Sequence, residues 1–256
     1  MIMDPYELMD HISSLARSLG ITDIGAADVN GWERDALVRD TIPGHASPSE
    51  MMKGSRSVIS IGIPVQRTIL ATAPSSYYSE HYKTVNSMLD HAAQRIAMEL
   101  NILGYPSVFV PRDGYTGIEG LRKDPSSFFS HRHSAYLAGM GTFGVSGMLI
   151  TRNNGPRIRF ISVITTAELP YGGPLEEQLC TGCLGCTSGC PEDAVASGPY
   201  PNALTDKQRC VEYSAVLRSR GCSPCGRCIF VCPVGRDASD PLPSDEAVEN
   251  IRRYTK

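Results

Sequence analysis

The stretch CTGCLGCTSGCP, residues 180–191, decides the architecture of this 256-residue chain, and the stretch CSPCGRCIFVCP, residues 222–233, repeats its spacing. In each stretch three cysteines are separated by gaps of two residues, a fourth follows after three more residues, and a proline comes next. Residues 1–179 contain no cysteine. The chain therefore divides into a large cysteine-free part and a smaller cysteine-rich part.

The repeated spacing is typical of bacterial two-cluster ferredoxins, in which the fourth cysteine of each run binds the cluster of the other run. Structural zinc sites use paired C-x2-C elements with a long gap between the pairs, and have no need of two identical four-cysteine runs. The spacing therefore predicts two 4Fe–4S clusters. The predicted ligands are Cys180, Cys183, Cys186, Cys190, Cys222, Cys225, Cys228 and Cys232.

Cys210 is the ninth cysteine and lies outside both runs, on a helix predicted over residues 205–218. A free cysteine is often a small core residue, which would leave the eight run cysteines as the ligands. Alternatively, Cys210 binds a cluster in place of Cys222. The regular spacing favours Cys222, and both alternatives remain open at this point.

The cysteine-free part shows a pattern of helices and short strands. A helix is predicted to start at Asp4 and to end before Gly20. Runs rich in Ile and Val at residues 23–27, 57–64 and 105–111 predict strands, and a long helix with Ser79 as its expected N-cap separates the last two. The order strand, helix, strand indicates a crossover unit and hence an α/β layer around mixed strands.

A glycine-rich loop follows a second helix that we predict over residues 126–138. Glycine permits positive φ and lets a flat ligand approach the backbone, so the loop is a candidate cofactor site, with an array of β-turns as the alternative. Its candidate residues are Gly139, Gly141, Gly144 and Gly147. Residues 148–167, with a turn at 152–156, then predict a hairpin that closes this part of the chain.

Composition excludes several classes of protein. Hydrophobic residues make up 41% of the chain, which is enough for a folded core, and 24 basic against 27 acidic residues give a net charge of −3. Such a balance provides no basic field for nucleic acid or anionic lipid. No stretch approaches the roughly 18 apolar residues of a membrane span, and the N-terminus lacks a signal-peptide pattern. We expect a cytoplasmic protein with no membrane partner.

Three polar residues are candidates for catalysis. Tyr77 lies near the start of the long helix, one turn before His81, and a Tyr or His beside a reduced cofactor can transfer a proton. His133 precedes the glycine-rich loop, and Asp113 follows a predicted strand, where α/β proteins often gather polar groups. The alternatives are ordinary packing for Tyr77, a corrinoid contact or a satisfied surface histidine for His133, and a salt-bridged loop for Asp113.

Several segments together resemble the epoxyqueuosine reductases and the related reductive dehalogenases. These are MKGSRSVISI at 52–61, AGMGTFG at 138–144 and TTAELP at 165–170, followed by the first cysteine run. The resemblance implies a nitroreductase-like α/β domain that binds a corrinoid, with its cobalt facing the nearer cluster, followed by a ferredoxin-like domain. RCVEY at 209–213 resembles a family segment whose cysteine binds the second cluster, which would group Cys210 with Cys190, Cys225 and Cys228.

The chain also departs from both families. The epoxyqueuosine reductases carry an acidic donor in an Asp-x-x-Pro-x-x-Glu segment, where residues 112–119 read RDGYTGIE. We expect neither the C-terminal helical repeats of that family nor the twin-arginine signal of the dehalogenases. We therefore expect a short cytoplasmic relative that acts on another substrate. The expected parts are residues 1–170 as the cofactor- or substrate-binding domain, 171–245 as the two-cluster domain and 246–256 as a tail.

These observations predict an iron–sulfur oxidoreductase that passes low-potential electrons through two 4Fe–4S clusters to a corrinoid, which reduces a small substrate. The alternative is an activator protein without its own corrinoid that reduces the cofactor of a partner corrinoid protein. FMN is a less favoured cofactor, because no motif demands it. The expected electron donor is a soluble ferredoxin or flavodoxin, nucleic acid is not expected as a partner, and a homodimer is compatible with the sequence.

Overall fold

The structure is a computed structural model that describes residues 3–42, 44–112, 117–236 and 239–254. The strands are β1 (Asp23–Asp28), β2 (Ser57–Pro64), β3 (Ser107–Val110), β4 (Thr142–Phe143), β5 (Leu149–Ile150) and β6 (Ile158–Thr165). The helices of the cysteine-free part are α1 (Pro5–Ser18), α2 (Gly31–Arg34), α3 (Ala36–Thr41), α4 (Pro48–Met51), α5 (Arg67–Leu70), α6 (Ser76–Ile102), α7 (Gly117–Lys123) and α8 (His131–Leu137). Those of the cysteine-rich part are α9 (Gly185–Ser188), α10 (Lys207–Ser219), α11 (Arg227–Val231) and α12 (Asp245–Arg253).

The main sheet has the strand order β1-β2-β6-β3, and each neighbouring pair is antiparallel. Since β2 and β3 both run antiparallel to β6, they are parallel to each other, and α6 connects them as the predicted crossover. The sequence predicts a sheet of mixed parallel and antiparallel strands, but every neighbouring pair is antiparallel. The reason is that β6, which comes much later in the chain, lies between β2 and β3. The result is a mixed α/β fold around a small antiparallel sheet.

Helices α1 and α6 pack on one face of the sheet. The core there consists of buried aliphatic side chains, among them Leu8, Ile12, Val85, Leu89, Ile96, Leu100, Ile61 and Ile161. The predicted start of α1 is confirmed, since the Asp4 carboxylate accepts from the N–H of Glu7 and the Glu7 carboxylate accepts from the N–H of Asp4. The N-cap of α6 is Ser75 rather than Ser79, which lies buried inside the helix.

Helix α8 packs on the opposite face, where the hydroxyls of Ser60 and Ser134 lie 2.7 Å apart. The helix predicted over residues 126–138 begins only at His131, because the Ser130 hydroxyl caps it. The predicted hairpin is also different. Its turn exists as a bridge between Thr151 and Gly155, but β5 pairs with β4, whereas β6 joins the main sheet.

The cysteine-rich part consists of short helices joined by irregular backbone, and it packs against α5 and α6 through Ile229 and Phe230. The segment expected as a C-terminal tail is mostly helical. Arg252 of α12 donates hydrogen bonds to the carbonyls of Ala71, Thr72 and Ala73, which ties α12 to the start of α6. Among the described residues, no helix has both the length and the apolar character that crossing a membrane requires.

Candidate metal centre

One group of thiols lines a cavity between the two parts of the chain. Cys180, Cys183 and Cys186 of the first run share its wall with Cys228 and Cys232 of the second run. Apolar side chains from both parts complete the lining, including Val145, Ile150, Leu184 and Val234. The last cysteine of the second run thus reaches the first three of the other run, as the ferredoxin spacing predicts. We call Cys180, Cys183, Cys186 and Cys232 the first quartet.

A second group of thiols surrounds Cys228. Burial raises the pKa of the Cys228 thiol to about 12, and Coulombic repulsion from Cys210, Cys225, Cys186 and Cys190 adds to the shift. Burial likewise raises the pKa of Cys225, with Cys210 and Cys190 as its neighbouring thiols. One cysteine raises the pKa of another in this way only when the two sulfur atoms lie close together. We call Cys190, Cys210, Cys225 and Cys228 the second quartet.

Cys222 lies apart from both quartets. Its side chain is 3% exposed, and its Sγ donates to the carbonyl oxygen of Leu217 at 3.3 Å. Burial raises the pKa of Cys222, and the nearby Arg220 charge partly opposes this shift. The structure therefore brings Cys210, and not Cys222, into the second quartet, against the preference drawn from the regular spacing.

Each quartet consists of four cysteines, which is the ligand set of a 4Fe–4S cluster. Each thiolate of a 4Fe–4S cluster binds a different iron, so the four thiols surround a volume rather than converge on a point. In the described ranges no three His, Cys, Asp or Glu side chains are grouped to hold one metal ion. Backbone N–H groups also approach the thiols, as where Ala194 donates to the Sγ of Cys190 at 3.3 Å.

The glycine-rich loop forms the turn and flanks of the β4–β5 hairpin, and it lies against the first quartet. A Cβ added at Gly144 would lie 3.4 Å from the Sγ of Cys180 and 2.5 Å from Cδ1 of Ile150. A Cβ at Gly141 would meet the carbonyl oxygen of Ile150 at 2.3 Å, and one at Gly139 would meet that of Gly173 at 2.6 Å. Contacts within the chain therefore require these three glycines. Gly147 has φ +67°, and it lies beside the Tyr200 ring.

His133 is a core residue in this structure. Its Nδ1 lies 2.6 Å from the Ser130 hydroxyl, its Nε2 lies 2.9 Å from the Tyr200 hydroxyl, and its ring packs on Phe143. Burial lowers the pKa of His133 to about 3, with Arg132, His45 and Lys207 adding to the shift. Both ring nitrogens are occupied, so the structure does not present His133 to a substrate as the sequence analysis proposed.

The other two catalytic candidates are Tyr77, which the structure describes, and Asp113, which it does not. Tyr77 is 50% exposed, whereas its neighbour Tyr78 is buried and contacts the second cysteine run at Gly226. Asp113 lies outside the described residues. The spacing of four residues pairs Tyr77 with His81 and Tyr78 with Tyr82 without telling which pair packs, and the structure buries Tyr78. No sequence motif marks Arg157, which follows a turn.

Comparison with curated proteins matches most of the chain to two groups of reductases. The epoxyqueuosine reductase of Pseudomonas aeruginosa is 25% identical over 240 residues, which are 83% of this chain and 61% of that protein. The epoxyqueuosine reductase of Vibrio cholerae is 27% identical over 84% of this chain and 60% of that protein. A tetrachloroethene reductive dehalogenase of Desulfitobacterium hafniense is 30% identical over 58% of this chain and 25% of that protein. No family model matches the chain.

The chain is similar in sequence to the epoxyqueuosine reductases and the reductive dehalogenases. It spans about three fifths of the length of the epoxyqueuosine reductases it matches. Solved structures show the same fold: a catabolic reductive dehalogenase superposes with a TM-score of 0.70 at 18% identity, over 100% of this chain and 35% of that one. The epoxyqueuosine reductase of Streptococcus thermophilus superposes with a TM-score of 0.64 at 16% identity, over 93% of this chain and 68% of that one. The resemblance drawn from the sequence is confirmed.

Proposed function

We propose that this relative of the two reductase groups is an iron–sulfur oxidoreductase that passes low-potential electrons through two 4Fe–4S clusters to a corrinoid in the cysteine-free part, for reduction of a small substrate. The observation that carries the proposal is the contact between the two parts, where Gly144 of the β4–β5 hairpin lies beside Cys180 of the first quartet. An electron on the first cluster is thus next to the cysteine-free part.

The second quartet extends this route. Cys228 borders the cavity of the first quartet and interacts with Cys186, so the two quartets are neighbours. Electrons from a soluble donor of the ferredoxin or flavodoxin type would enter at one cluster and leave at the other. Clusters of this type cover roughly −700 to +450 mV, a range whose low end suits the reduction of a corrinoid.

The support for a corrinoid comes from similarity to a solved structure and not from a pocket assigned in this chain. The structure of one similar reductive dehalogenase suggests a mechanism for B12-dependent dehalogenation. That structure superposes over 100% of this chain with a TM-score of 0.68. When bound, a corrinoid supplies a cobalt centre that can be strongly reduced. The contacts that an added Cβ would meet at Gly139, Gly141 and Gly144 lie within the chain, so packing alone explains these glycines and they give the corrinoid no separate support.

That same observation favours a second candidate function. If the hairpin glycines serve only packing, the cysteine-free part can dock a partner's corrinoid rather than hold its own. In this activator function, the two clusters and the direction of electron flow stay the same, and the acceptor is a separate corrinoid protein.

Binding of hydroxocobalamin to the anaerobic, reduced protein distinguishes the two. The first function predicts that corrinoid co-elutes with the protein and that its visible absorption survives acid bleaching of the clusters. Cluster absorption alone, with nothing visible left after acid, supports the activator function and contradicts the first. Iron content measured in the same samples shows that the protein is intact.

A further inference from the structure

Arg157 is a buried arginine at the junction of the two parts. It follows the turn at Thr151–Gly155 and directly precedes β6, and it is 3% exposed. Its guanidinium donates to the carbonyl oxygens of Ile229 at 3.3 Å, Cys232 at 3.0 Å and Val234 at 2.6 Å. A side chain from the cysteine-free part thus binds the backbone on both sides of a first-quartet thiol.

The backbone around Arg157 holds the guanidinium in this position. Its carbonyl accepts from the N–H of Val65 at 2.8 Å, which joins it to the segment after β2. The preceding turn packs directly on the second run, since a Cβ at Gly155 would lie 2.1 Å from the carbonyl oxygen of Val234. Gly235 fits equally closely, with the N–H nitrogen of Gly155 at 2.3 Å from its added Cβ. Only glycine allows this approach, so the junction leaves Arg157 little freedom.

The charge of Arg157 has no direct counterion in the described part of the chain. Its hydrogen bonds go to carbonyl oxygens, and the titratable or charged groups that face it are the Cys232 thiol, Arg236, Arg67 and Asp240. The Asp240 carboxylate is 3.3 Å from Nη1 of Arg67 and is thus shared. A guanidinium remains protonated in proteins, and a buried charge is normally paired or bound to a metal centre. A cluster with four thiolate ligands carries the negative charge that would complete this arrangement.

We propose that Arg157 tunes the first cluster, raising its reduction potential by stabilising the reduced state. The proposal rests on the clusters of the proposed function and assigns Arg157 as a positioning residue. The step is a one-electron reduction: the soluble donor loses the electron, the cluster gains it, and no covalent bond forms or breaks. The extra negative charge interacts with a fixed, poorly solvated cation, and the net charge and hydrogen bonds around a cluster set its potential.

Arg236 provides a matched control for this effect. Its Nε donates to the carbonyl oxygen of Cys232 at 2.8 Å, which is the same oxygen that Arg157 binds, and it also binds the carbonyl of Phe230 at 3.0 Å. Arg236 is exposed, however, so water screens its charge. The two arginines differ mainly in burial, and removing the exposed one should have the smaller effect.

The experiment is an EPR-monitored potentiometric titration of the full chain and of Arg157→Gln, Arg157→Lys and Arg236→Gln, with iron measured in each. We expect Arg157→Gln to disfavour reduction of one cluster about tenfold, a shift of about 59 mV for one electron, and to leave the other cluster unchanged. Arg157→Lys keeps the charge and should change the equilibrium less than about threefold, as should Arg236→Gln.

Other outcomes contradict the proposal. Equal midpoint potentials in the native protein and in Arg157→Gln overturn it. A tenfold effect of Arg157→Lys also overturns it, because the positive charge of Arg157 would then not explain the potential. If Arg157→Gln does not retain iron, the same titration of Arg157→Met, which also removes the charge, decides by the same tenfold threshold. A native protein without iron overturns the proposed function, and with it this inference, whereas normal iron with unmoved potentials overturns only the role of Arg157.

Discussion

The Sγ of Cys222 lies 3.3 Å from the carbonyl oxygen of Leu217, the same oxygen that accepts the backbone N–H of Cys222 at 3.0 Å. Both donors therefore cap the C-terminal end of α10, and the Cys222 thiol is engaged in this hydrogen bond. Cys210, on the same helix, interacts instead with Cys190 and Cys225. Cys210 thus lies on α10 and Cys222 follows its C-terminal end, and only Cys210 is brought to the other thiols.

The first prediction follows from this separation. Cys210→Ala should lose about half of the iron and the EPR signal of one cluster, because one quartet becomes incomplete. Cys222→Ala should retain the iron of both clusters and lose on the order of 1 kcal/mol of stability, from a weak hydrogen bond and a small buried volume. Iron analysis and EPR of the two reduced variants provide the comparison. Loss of iron from Cys222→Ala with full retention in Cys210→Ala would reverse the assignment.

The Cys210 result also shows where sequence reasoning succeeds and where it stops. The repeated spacing identifies seven of the eight thiols that the structure brings together, since short gaps force neighbouring cysteines into one loop. The spacing does not reveal that Cys210, which lies outside both runs, is brought to the second quartet by α10. Nor does it reveal that Cys222 forms a hydrogen bond at the end of that helix. Only the resemblance to a family segment at 209–213 pointed to Cys210, and the regular spacing argued against it.

A second prediction concerns Gly226, where the second run meets α6. Gly226 has φ +71°, and a Cβ added there would lie 2.8 Å from the Tyr78 ring and 2.9 Å from Cδ1 of Leu70. Gly221 has the same φ but has open space around the added Cβ. Gly221→Ala should therefore cost only the backbone strain of about 1–2 kcal/mol, and Gly226→Ala about 1–3 kcal/mol more.

Chemical denaturation of the two glycine variants, followed by circular dichroism, measures this difference. The shared φ makes Gly221→Ala the control for backbone strain, so the excess reports the contact with Tyr78 and Leu70. Equal losses of stability in both variants would show that this contact does not hold the second run against α6.

A third prediction concerns the dependence of stability on pH at His133. Its pKa in the folded state is about 3, below the ordinary value of 6.5, because burial disfavours the imidazolium. Below about pH 6.5 the unfolded chain binds a proton that the folded chain does not, so this residue removes stability as the pH falls. The loss between about pH 7 and pH 5 is about 2 kcal/mol.

His133→Gln should lack this part of the pH dependence. Denaturation of the native protein and the variant across the same range isolates it, since the clusters and the other histidines are common to both. Parallel stability curves would mean that His133 titrates normally and is accessible, which would restore it as a candidate proton donor.

Local signals predicted the elements of the cysteine-free part better than their pairing. The capping residues Asp4 and Glu7 act within one turn, and β2 forms over the predicted residues 57–64. The hairpin expected from residues 148–167 failed because β6 finds long-range partners in β2 and β3. The hairpin glycines were explained by Ile150 and Gly173, contacts that no local pattern contains.

The metal content of the anaerobically prepared 256-residue chain tests the presence of two 4Fe–4S clusters most directly. We expect about eight iron and about eight sulfide per chain, no stoichiometric zinc, and an EPR spectrum of two interacting 4Fe–4S centres on reduction, because two quartets of thiols lie side by side. About four iron per chain, or stoichiometric zinc in place of iron, would contradict it.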